Sequence, residues 1–371
     1  MAIMSRELVD PASVGVDSEK VAVLMHRARL EVESGRLPSC QVALGKDGRL
    51  VAFETIGDAL PESRYVLQSA GRPVLAAIVW KVLGDDLLSI DECVADIIPE
   101  FGTNGKEVVT VGQVLTHTAG FPMAGLGYPK HKDRDARLAA FSRWRLDWEP
   151  GSQLQYHVTS AGWVIKELVE RRTGMLLRDY LREKIAEPLG LTVDIGPPVE
   201  EQDNIAPYVC TDVKEGEFEI NPWGPWYLHD REVLAAGEPS HTVVATAADI
   251  ALLFQALYHS GLWSAEAVAE GSRAHVDMPM SGEFGRVGQR TKMALFVEVA
   301  SSGAAPPGPT ASPSTFGMAG APTQQAWCDP ETGLSYSFTT NGYPATGYDR
   351  TRAGVNQAVL LSGLAFDCAM E

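Results

Sequence analysis

The sequence places a serine and an arginine three residues apart, Ser69 and Arg72, directly before the apolar run 74–80. A serine hydroxyl can attack an acyl carbon if a neighbouring base removes its proton. Because an arginine side chain keeps its proton in proteins, Arg72 cannot serve as that base. Ser69 could therefore act as a nucleophile only if another group supplied the base, since Arg72 can act only through its charge.

Hydrophobic periodicity predicts the elements that would hold these residues. Helices are predicted over 18–35 with Ser18 as the N-cap, and over 72–82, 110–115, 136–144, 159–173, 177–185, 246–258 and 351–364. Strands are predicted over 41–44 and 50–55, joined by an Asp-Gly turn, and over 292–299, 325–328 and 335–340. Residues 301–314, rich in Ser, Pro and Gly, are predicted to form a mobile loop.

This order of elements predicts an α+β fold. Two strands from the beginning of the chain and three from its end can pair into one antiparallel, five-stranded sheet. The first and last helices would cover one face of this sheet, and a mostly helical insert would pack on the other side. We therefore predict a discontinuous sheet domain (14–72 and 244–371), an insert domain (73–243) and an active site at their interface.

Composition excludes several classes of protein. The 371-residue chain carries 48 acidic and 31 basic residues, a net charge of -17 that would repel the phosphates of nucleic acids. It has no apolar run long enough to span a membrane and no apolar segment typical of a secretory signal near its start. Five widely spaced cysteines argue against a disulfide framework or a zinc site. We expect a cytoplasmic protein that needs no metal or cofactor.

Four segments, in order, resemble the β-lactamase-related serine hydrolases, which include class C β-lactamases, D-alanyl-D-alanine peptidases and esterases of the same fold. They are LLSIDECV (87–94), LTHTAGFP (115–122), WEPG (148–151) followed by Tyr156, and AWCDPETGL (326–334). The resemblance covers about residues 14–364. It implies a β-lactamase/transpeptidase-like fold, a serine nucleophile and a small-molecule substrate; no pattern indicates an oligomeric state.

The three catalytic motifs of that family are altered in this chain. Ser-x-x-Lys reads Ser69-Ala70-Gly71-Arg72, Tyr-x-Asn reads Tyr156-His157-Val158, and Lys/His-Thr-Gly reads Met318-Ala319-Gly320. The resemblance implies that Ser69 is the nucleophile and that Tyr156 is the remaining conventional base, with the charge of Arg72 favouring its phenolate. It also implies an oxyanion hole formed by the backbone N–H groups of Ser69 and Ala321.

Other residues are candidates for contact with a substrate. The resemblance places Met318, Ala319, Gly320, His157 and Val158 at the pocket, where Met318 would make the wall more apolar. Trp223 and Trp226, with Tyr227, either pack the irregular segment 197–240 or form an aromatic wall for a bulky acyl group.

Each of these roles has a structural alternative. Ser69 could cap its helix, Arg72 could form a structural ion pair, and Tyr156 could belong to the core. His117 is expected to be a core histidine, whereas His157 and His241 are alternative proton carriers.

The sequence predicts an esterase-like serine acyl hydrolase or acyltransferase that acts on a small, fairly apolar ester or amide. A second hypothesis is a non-hydrolytic enzyme in which Arg72 binds a carboxylate or enolate and Tyr156 moves a proton. A third is a catalytically degenerate protein that binds a ligand without turning it over. Only the first requires Ser69 for turnover.

Overall fold

The computed structural model describes residues 3–126, 132–214, 217, 225–285, 288–300, 311–346 and 352–369. The predicted mobile loop 301–314 therefore lies outside the described residues except for its last four. Within these ranges the helices are α1 (Ser18–Glu33), α2 (Arg72–Gly84), α3 (Val94–Ile97), α4 (Val111–Leu115), α5 (Arg134–Phe141), α6 (Ser160–Thr173), α7 (Leu177–Leu181), α8 (Glu187–Leu189), α9 (Arg231–Ala235), α10 (Ala247–His259), α11 (Ala265–Ser272) and α12 (Arg352–Phe366).

The strands are β1 (Ser39–Lys46), β2 (Arg49–Gly57), β3 (Tyr65–Val66), β4 (Leu154–Gln155), β5 (Asp194–Ile195), β6 (Val209–Cys210), β7 (Val243–Ala245), β8 (Val276–Met278), β9 (Met280–Ser281), β10 (Thr291–Met293), β11 (Glu298–Val299), β12 (Phe316–Gly320), β13 (Gln324–Cys328), β14 (Ser335–Thr340) and β15 (Gly342–Tyr343). The main sheet of the described chain has the order β2-β1-β14-β13-β12-β11-β10-β8, and all its pairs are antiparallel.

The predicted α+β fold with an antiparallel sheet is confirmed, but the main sheet of the described chain has eight strands and not the predicted five. One predicted strand is divided in two, and one strand of the sheet was missed. The predicted strand 292–299 is two short strands, because the chain reverses at Phe296 (φ 74°) and Lys292 pairs with Val299. Strand β12 was not predicted, since its sequence FGMAG has two glycines and no β-branched residue. It nevertheless lies in the middle of the sheet, where its neighbours β11 and β13 supply hydrogen bonds on both sides.

Helices cover both faces of the sheet. As predicted, α1 and α12 pack on each other and on one face, where they share a buried apolar cluster with β1 and β14. The N-cap of helix α1 lies one residue earlier than predicted, because the side chain of Asp17, not that of Ser18, accepts N–H bonds from Glu19 and Lys20. Helix α10 covers the opposite face.

Helix α2 is the central element of the larger core. Its residues from Arg72 to Trp80 are all buried, and it packs against α6, α10, α11 and β12. One continuous apolar cluster includes α2, inward-facing sheet residues and the helices of the insert. The domain division after residue 72 and before residue 244 stays a prediction, and α2 joins the two parts through this shared core.

All five cysteines have free thiols, and three of them, Cys40, Cys328 and Cys368, are buried. Among the helices that the structure describes, none combines the length and apolar content that crossing a bilayer would need.

Candidate active site

Ser69 lies in a short 3₁₀ turn, Gln68–Gly71, directly before α2. The other three residues of this Ser69 turn are buried, whereas Ser69 is partly exposed. No side chain caps the start of the turn or of α2, so the helix-cap alternative for Ser69 does not hold. The turn is anchored by the Leu67 N–H, which donates to the Val243 carbonyl at 2.9 Å. The fold thus presents the Ser69 side chain from a rigid buried support.

The end of β12 packs directly on the Ser69 turn. A Cβ on Gly320 would lie 2.6 Å from Ala70 N and 2.7 Å from Leu67 O, so only glycine allows this approach. Ala321 follows at once, and within the described residues neither its N–H nor that of Ser69 donates to a protein acceptor. Two unpaired backbone donors beside a serine are the arrangement that stabilises an acyl-transfer oxyanion.

Gln324 fixes this junction and was not predicted from the sequence. Its buried Nε2 donates to the Ala321 carbonyl at 2.8 Å and to the Val66 carbonyl at 3.0 Å. The amide therefore ties the segment after β12 to the strand that leads into the Ser69 turn. No local pattern distinguishes Gln324 from other polar residues of the sheet.

Tyr156 is buried beside Ser69 in a cluster rich in methionine, and Phe284 packs edge-on to its ring at 5.1 Å. Its hydroxyl makes no hydrogen bond in the described chain, but the Ser69 hydroxyl lies close enough to lower its pKa. Burial acts more strongly and raises the pKa of Tyr156, although the charge of Arg72 opposes it. The charge of Arg72 favours the phenolate, as predicted, but burial raises the pKa of Tyr156 by more than this charge lowers it. Tyr156 therefore stays neutral at physiological pH.

Arg72 is fully buried and contacts the segment Tyr156–Val158. Its guanidinium donates hydrogen bonds to the carbonyls of Val158 (2.6 Å) and His157 (3.2 Å). The guanidinium carbon also lies over two aromatic rings, 4.3 Å from the ring centre of Tyr156 and 4.6 Å from that of Phe296. In the described ranges it pairs with no carboxylate. Since Arg72 cannot touch a substrate, it is a positioning residue, and the hypothesis that it binds a carboxylate or enolate is not supported.

His157 is placed in the core and not in the pocket. Its Nδ1–H donates to the Gln155 carbonyl at 2.7 Å, and its Nε2 accepts from Phe121 N at 3.2 Å. Burial, the largest influence, lowers its pKa to about 3. His117, predicted to be a core histidine, is also fully buried, and burial holds its pKa well below the usual value. Neither imidazole is free to bind a substrate or carry its proton.

Acid is expected to destabilise the protein through His157. In the unfolded chain a histidine has a pKa of about 6.5, so between that value and the folded pKa the unfolded state binds one more proton. The free energy of unfolding should therefore fall by about 1.4 kcal/mol per pH unit for this residue as pH drops below about 6.5. Urea titrations between pH 7.5 and 4.5 should show a shallower fall for His157→Gln than for the wild type; equal slopes would contradict the assignment.

The remaining predicted wall residues divide into two groups. Met318 is buried against Tyr156 in an apolar cluster, and Val158 packs on this cluster. The other members of the cluster are Met280, Met293 and Leu154. Ala319 and Gly320 are half-buried. Trp226 is buried elsewhere: its Nε1–H donates to the Pro344 carbonyl at 2.8 Å, and it packs in the apolar cluster that contains Ala321. Trp226 therefore packs in the core near Ala321 and does not form the predicted aromatic wall of the pocket. Trp223 lies outside the described residues.

Sequence reasoning missed three apolar residues around Tyr156. Met280 and Met293 come from distant strands, and no local signal connects them to the site. Phe284 lies between two glycines, Gly282 and Gly285, a pattern that could have marked an exposed turn. Within the described ranges, no group of three His, Cys, Asp or Glu side chains could hold a metal ion.

Comparison with known proteins identifies similar sequences. The model of the β-lactamase family matches residues 21–361. The chain is 31% identical over 134 residues to the esterase/β-lactamase LipL of Mycobacterium tuberculosis; this match covers 34% of the chain but only 30% of that protein. It is 24% identical over 362 residues to a putative D-alanyl-D-alanine carboxypeptidase of Escherichia coli K12, covering 84% of the chain and 79% of the relative.

Solved structures show the same fold. A family VIII carboxylesterase superposes with a TM-score of 0.81 at 22% identity, covering 95% of this chain and 99% of that one. A penicillin-binding protein homologue from Caulobacter crescentus superposes with a TM-score of 0.79 at 25% identity and the same coverage. At this level of identity the carboxylesterase likeness speaks for the fold alone.

Proposed function

Because the chain belongs to the β-lactamase family, we propose that it is an esterase-like serine acyl hydrolase or acyltransferase acting on a small, fairly apolar ester or amide. The observation that carries the proposal is the junction of the Ser69 turn with the end of β12. There the partly exposed Ser69 meets two backbone N–H groups that have no protein acceptor in the described chain.

The chemistry proceeds by acyl transfer to Ser69. The Ser69 oxygen attacks the acyl carbon, the carbonyl electrons move onto the oxygen, and the N–H groups of Ser69 and Ala321 hydrogen-bond that oxyanion. The tetrahedral centre collapses with loss of the alcohol or amine, which takes up the proton that Ser69 released. Water, or a second alcohol in the transferase case, then attacks the acyl-enzyme. The neutral Tyr156 phenol can donate a hydrogen bond to the reacting oxygens.

The apolar wall supports a neutral acyl group. Met318 stands where related enzymes carry a cation, and with Met280, Met293 and Val158 it forms an apolar side of the site around Tyr156. Among the described residues of this apolar cluster no side chain is cationic, and Arg72 is fully buried, so a substrate carboxylate, as in penicillins, would lack a charge partner from them. The similarity to a family VIII carboxylesterase and to the esterase/β-lactamase LipL is in keeping with an ester substrate.

We place this activity in the cytoplasm. The five free thiols support a reducing compartment, because secreted proteins usually pair their cysteines. The partner is a small-molecule substrate.

The substrate class is tested with nitrophenyl esters. We expect kcat/KM for a neutral butyrate ester to exceed that for an ester of equal length with a terminal carboxylate by at least about tenfold, the effect of roughly one charge-assisted hydrogen bond. Met318→Lys should move this ratio towards the carboxylate ester, whereas Met318→Leu should leave it unchanged. Preference of the wild type for the carboxylate ester or for benzylpenicillin would contradict the proposal, and ligand binding without turnover would favour the degenerate binding protein.

A further inference from the structure

A buried glutamate–histidine pair lies in the segment before β7. Glu238 and His241 are 4% and 5% exposed, and His241 Nδ1 is 2.7 Å from Glu238 Oε2. The other oxygen of Glu238 accepts the Ser240 N–H at 3.0 Å. Because a carboxylate oxygen accepts this hydrogen bond, Nδ1 is the donor, and in the tautomer that carries its proton on Nδ1 the Nε2 atom keeps its lone pair.

The Nε2 atom of His241 differs from the nitrogens of the core histidines. It makes no hydrogen bond within the part of the chain that the structure describes, and it is not one of the polar atoms sealed from solvent. The neighbouring Ser240 hydroxyl, by contrast, is sealed and without a partner there. The lone pair of His241 therefore faces accessible space.

The segment that carries the pair contacts both the Ser69 turn and helix α6, which follows the Tyr156–Val158 segment. Val243, two residues after His241, anchors the Ser69 turn through its carbonyl, and its side chain fills the space where a Cβ on Gly71 would lie, 2.6 Å away. On the other side, a Cβ on Gly162, in the first turn of α6, would lie 2.7 Å from Glu238 Oε1. Helix α6 begins directly after the Tyr156–Val158 segment, and the charge of Glu238 reaches the Tyr156 phenol.

The site also requires a base that its motif residues do not supply. Arg72 keeps its proton, Tyr156 is neutral, and both His117 and His157 are sealed in the core with low pKa values. His241 lies in the segment that leads to Val243, and a carboxylate orients its ring while leaving Nε2 without a partner in the described chain. This is the arrangement in which a carboxylate fixes the tautomer and stabilises the imidazolium that forms.

We propose that His241 is the general base for Ser69 and that Glu238 positions it. The inference rests on the function proposed above. His241 Nε2, directly or through one water, takes the proton from Ser69 Oγ as the bond from Oγ to the acyl carbon forms. The resulting imidazolium returns that proton to the leaving-group oxygen as its bond to carbon breaks, so the acyl-enzyme, the alcohol and neutral His241 are the products.

His241→Ala is expected to lower the acylation rate with nitrophenyl butyrate by about 10²- to 10⁴-fold, the usual contribution of a general base. Added imidazole should restore part of the lost rate, at least about tenfold, because a free base can occupy the vacated space. Glu238→Gln should lower the rate less and should not respond to imidazole, since His241 remains. Ser240→Ala, which alters the adjacent residue but leaves both members of the pair, should keep the wild-type rate.

The outcomes separate this inference from the proposed function. If the wild type shows no Ser69-dependent turnover or labelling, the proposed function fails and this inference fails with it. If the wild type is active and folded His241→Ala keeps a rate within threefold of it, or loses rate without response to imidazole, only the assignment of His241 is overturned. His241→Gln, which preserves more of the packing, provides the same comparison should the alanine variant not fold, with circular dichroism reporting the fold.

Discussion

Ser69→Ala is expected to abolish covalent labelling by a fluorophosphonate probe and to lower kcat/KM for neutral esters by at least about 10³-fold. The physical reason is that the acyl-enzyme can form only through an oxygen at this position. In the alanine variant the backbone oxyanion donors remain, and they account for whatever turnover persists. Mass spectrometry of the labelled wild type should locate the probe on the peptide that contains Ser69. The decisive measurements are labelling rate and turnover in both proteins.

A matched serine variant tests whether the effect is local. Ser89→Ala, on the exposed surface, should label and turn over like the wild type. Turnover that survived Ser69→Ala at the wild-type rate would exclude acyl transfer through Ser69 and would favour a non-hydrolytic enzyme. Ligand binding without labelling or turnover in the wild type would favour a degenerate binding protein.

Gly320→Ala is expected to lower kcat by about 10²- to 10³-fold, the effect of losing one oxyanion donor. The added methyl group would meet backbone atoms of the Ser69 turn, Ala70 N at 2.6 Å and Leu67 O at 2.7 Å, and neither can rotate away as a flexible side chain could. The end of β12 must therefore move off the turn and carry the Ala321 N–H with it. Overpacking of this kind should also lower the free energy of unfolding by about 1–3 kcal/mol.

Two glycine variants control for this result. At Gly125 a Cβ meets only one atom, 4.0 Å away, so Gly125→Ala should change neither kcat nor stability. Gly317 lies in the same strand, and a Cβ there would clash with the backbone of β13, away from the Ser69 turn. Gly317→Ala should therefore destabilise the protein while the folded fraction keeps its kcat. Wild-type kcat in Gly320→Ala would contradict the assigned oxyanion hole.

Much of the fold could be predicted because its signals are local. The apolar runs of β1 and β2 with the Asp-Gly turn between them, and the apolar periodicity of the helices α1, α6 and α10, are visible within short stretches of the chain. Strand β12 lacked such a signal, since glycine and alanine carry little strand preference. Its place in the sheet comes from pairing with β11 and β13, which is a property of the assembled sheet.

The sequence by itself determined the residue types at the candidate site: a serine, a tyrosine and two backbone donors, with an arginine where a lysine base is expected. Only the tertiary structure decided what those residues do. The pKa of Tyr156 depends on burial by Met280, Met293 and Met318 against the charge of Arg72, and burial acts more strongly.

The same holds for the histidines, which look alike as candidates in the sequence. His157 has both nitrogens bonded inside the core, whereas His241 has one nitrogen held by Glu238 and the other free in the described structure. Protonation and reactivity depend on solvent access and on partners distant in the chain, and those are set only when the elements pack together.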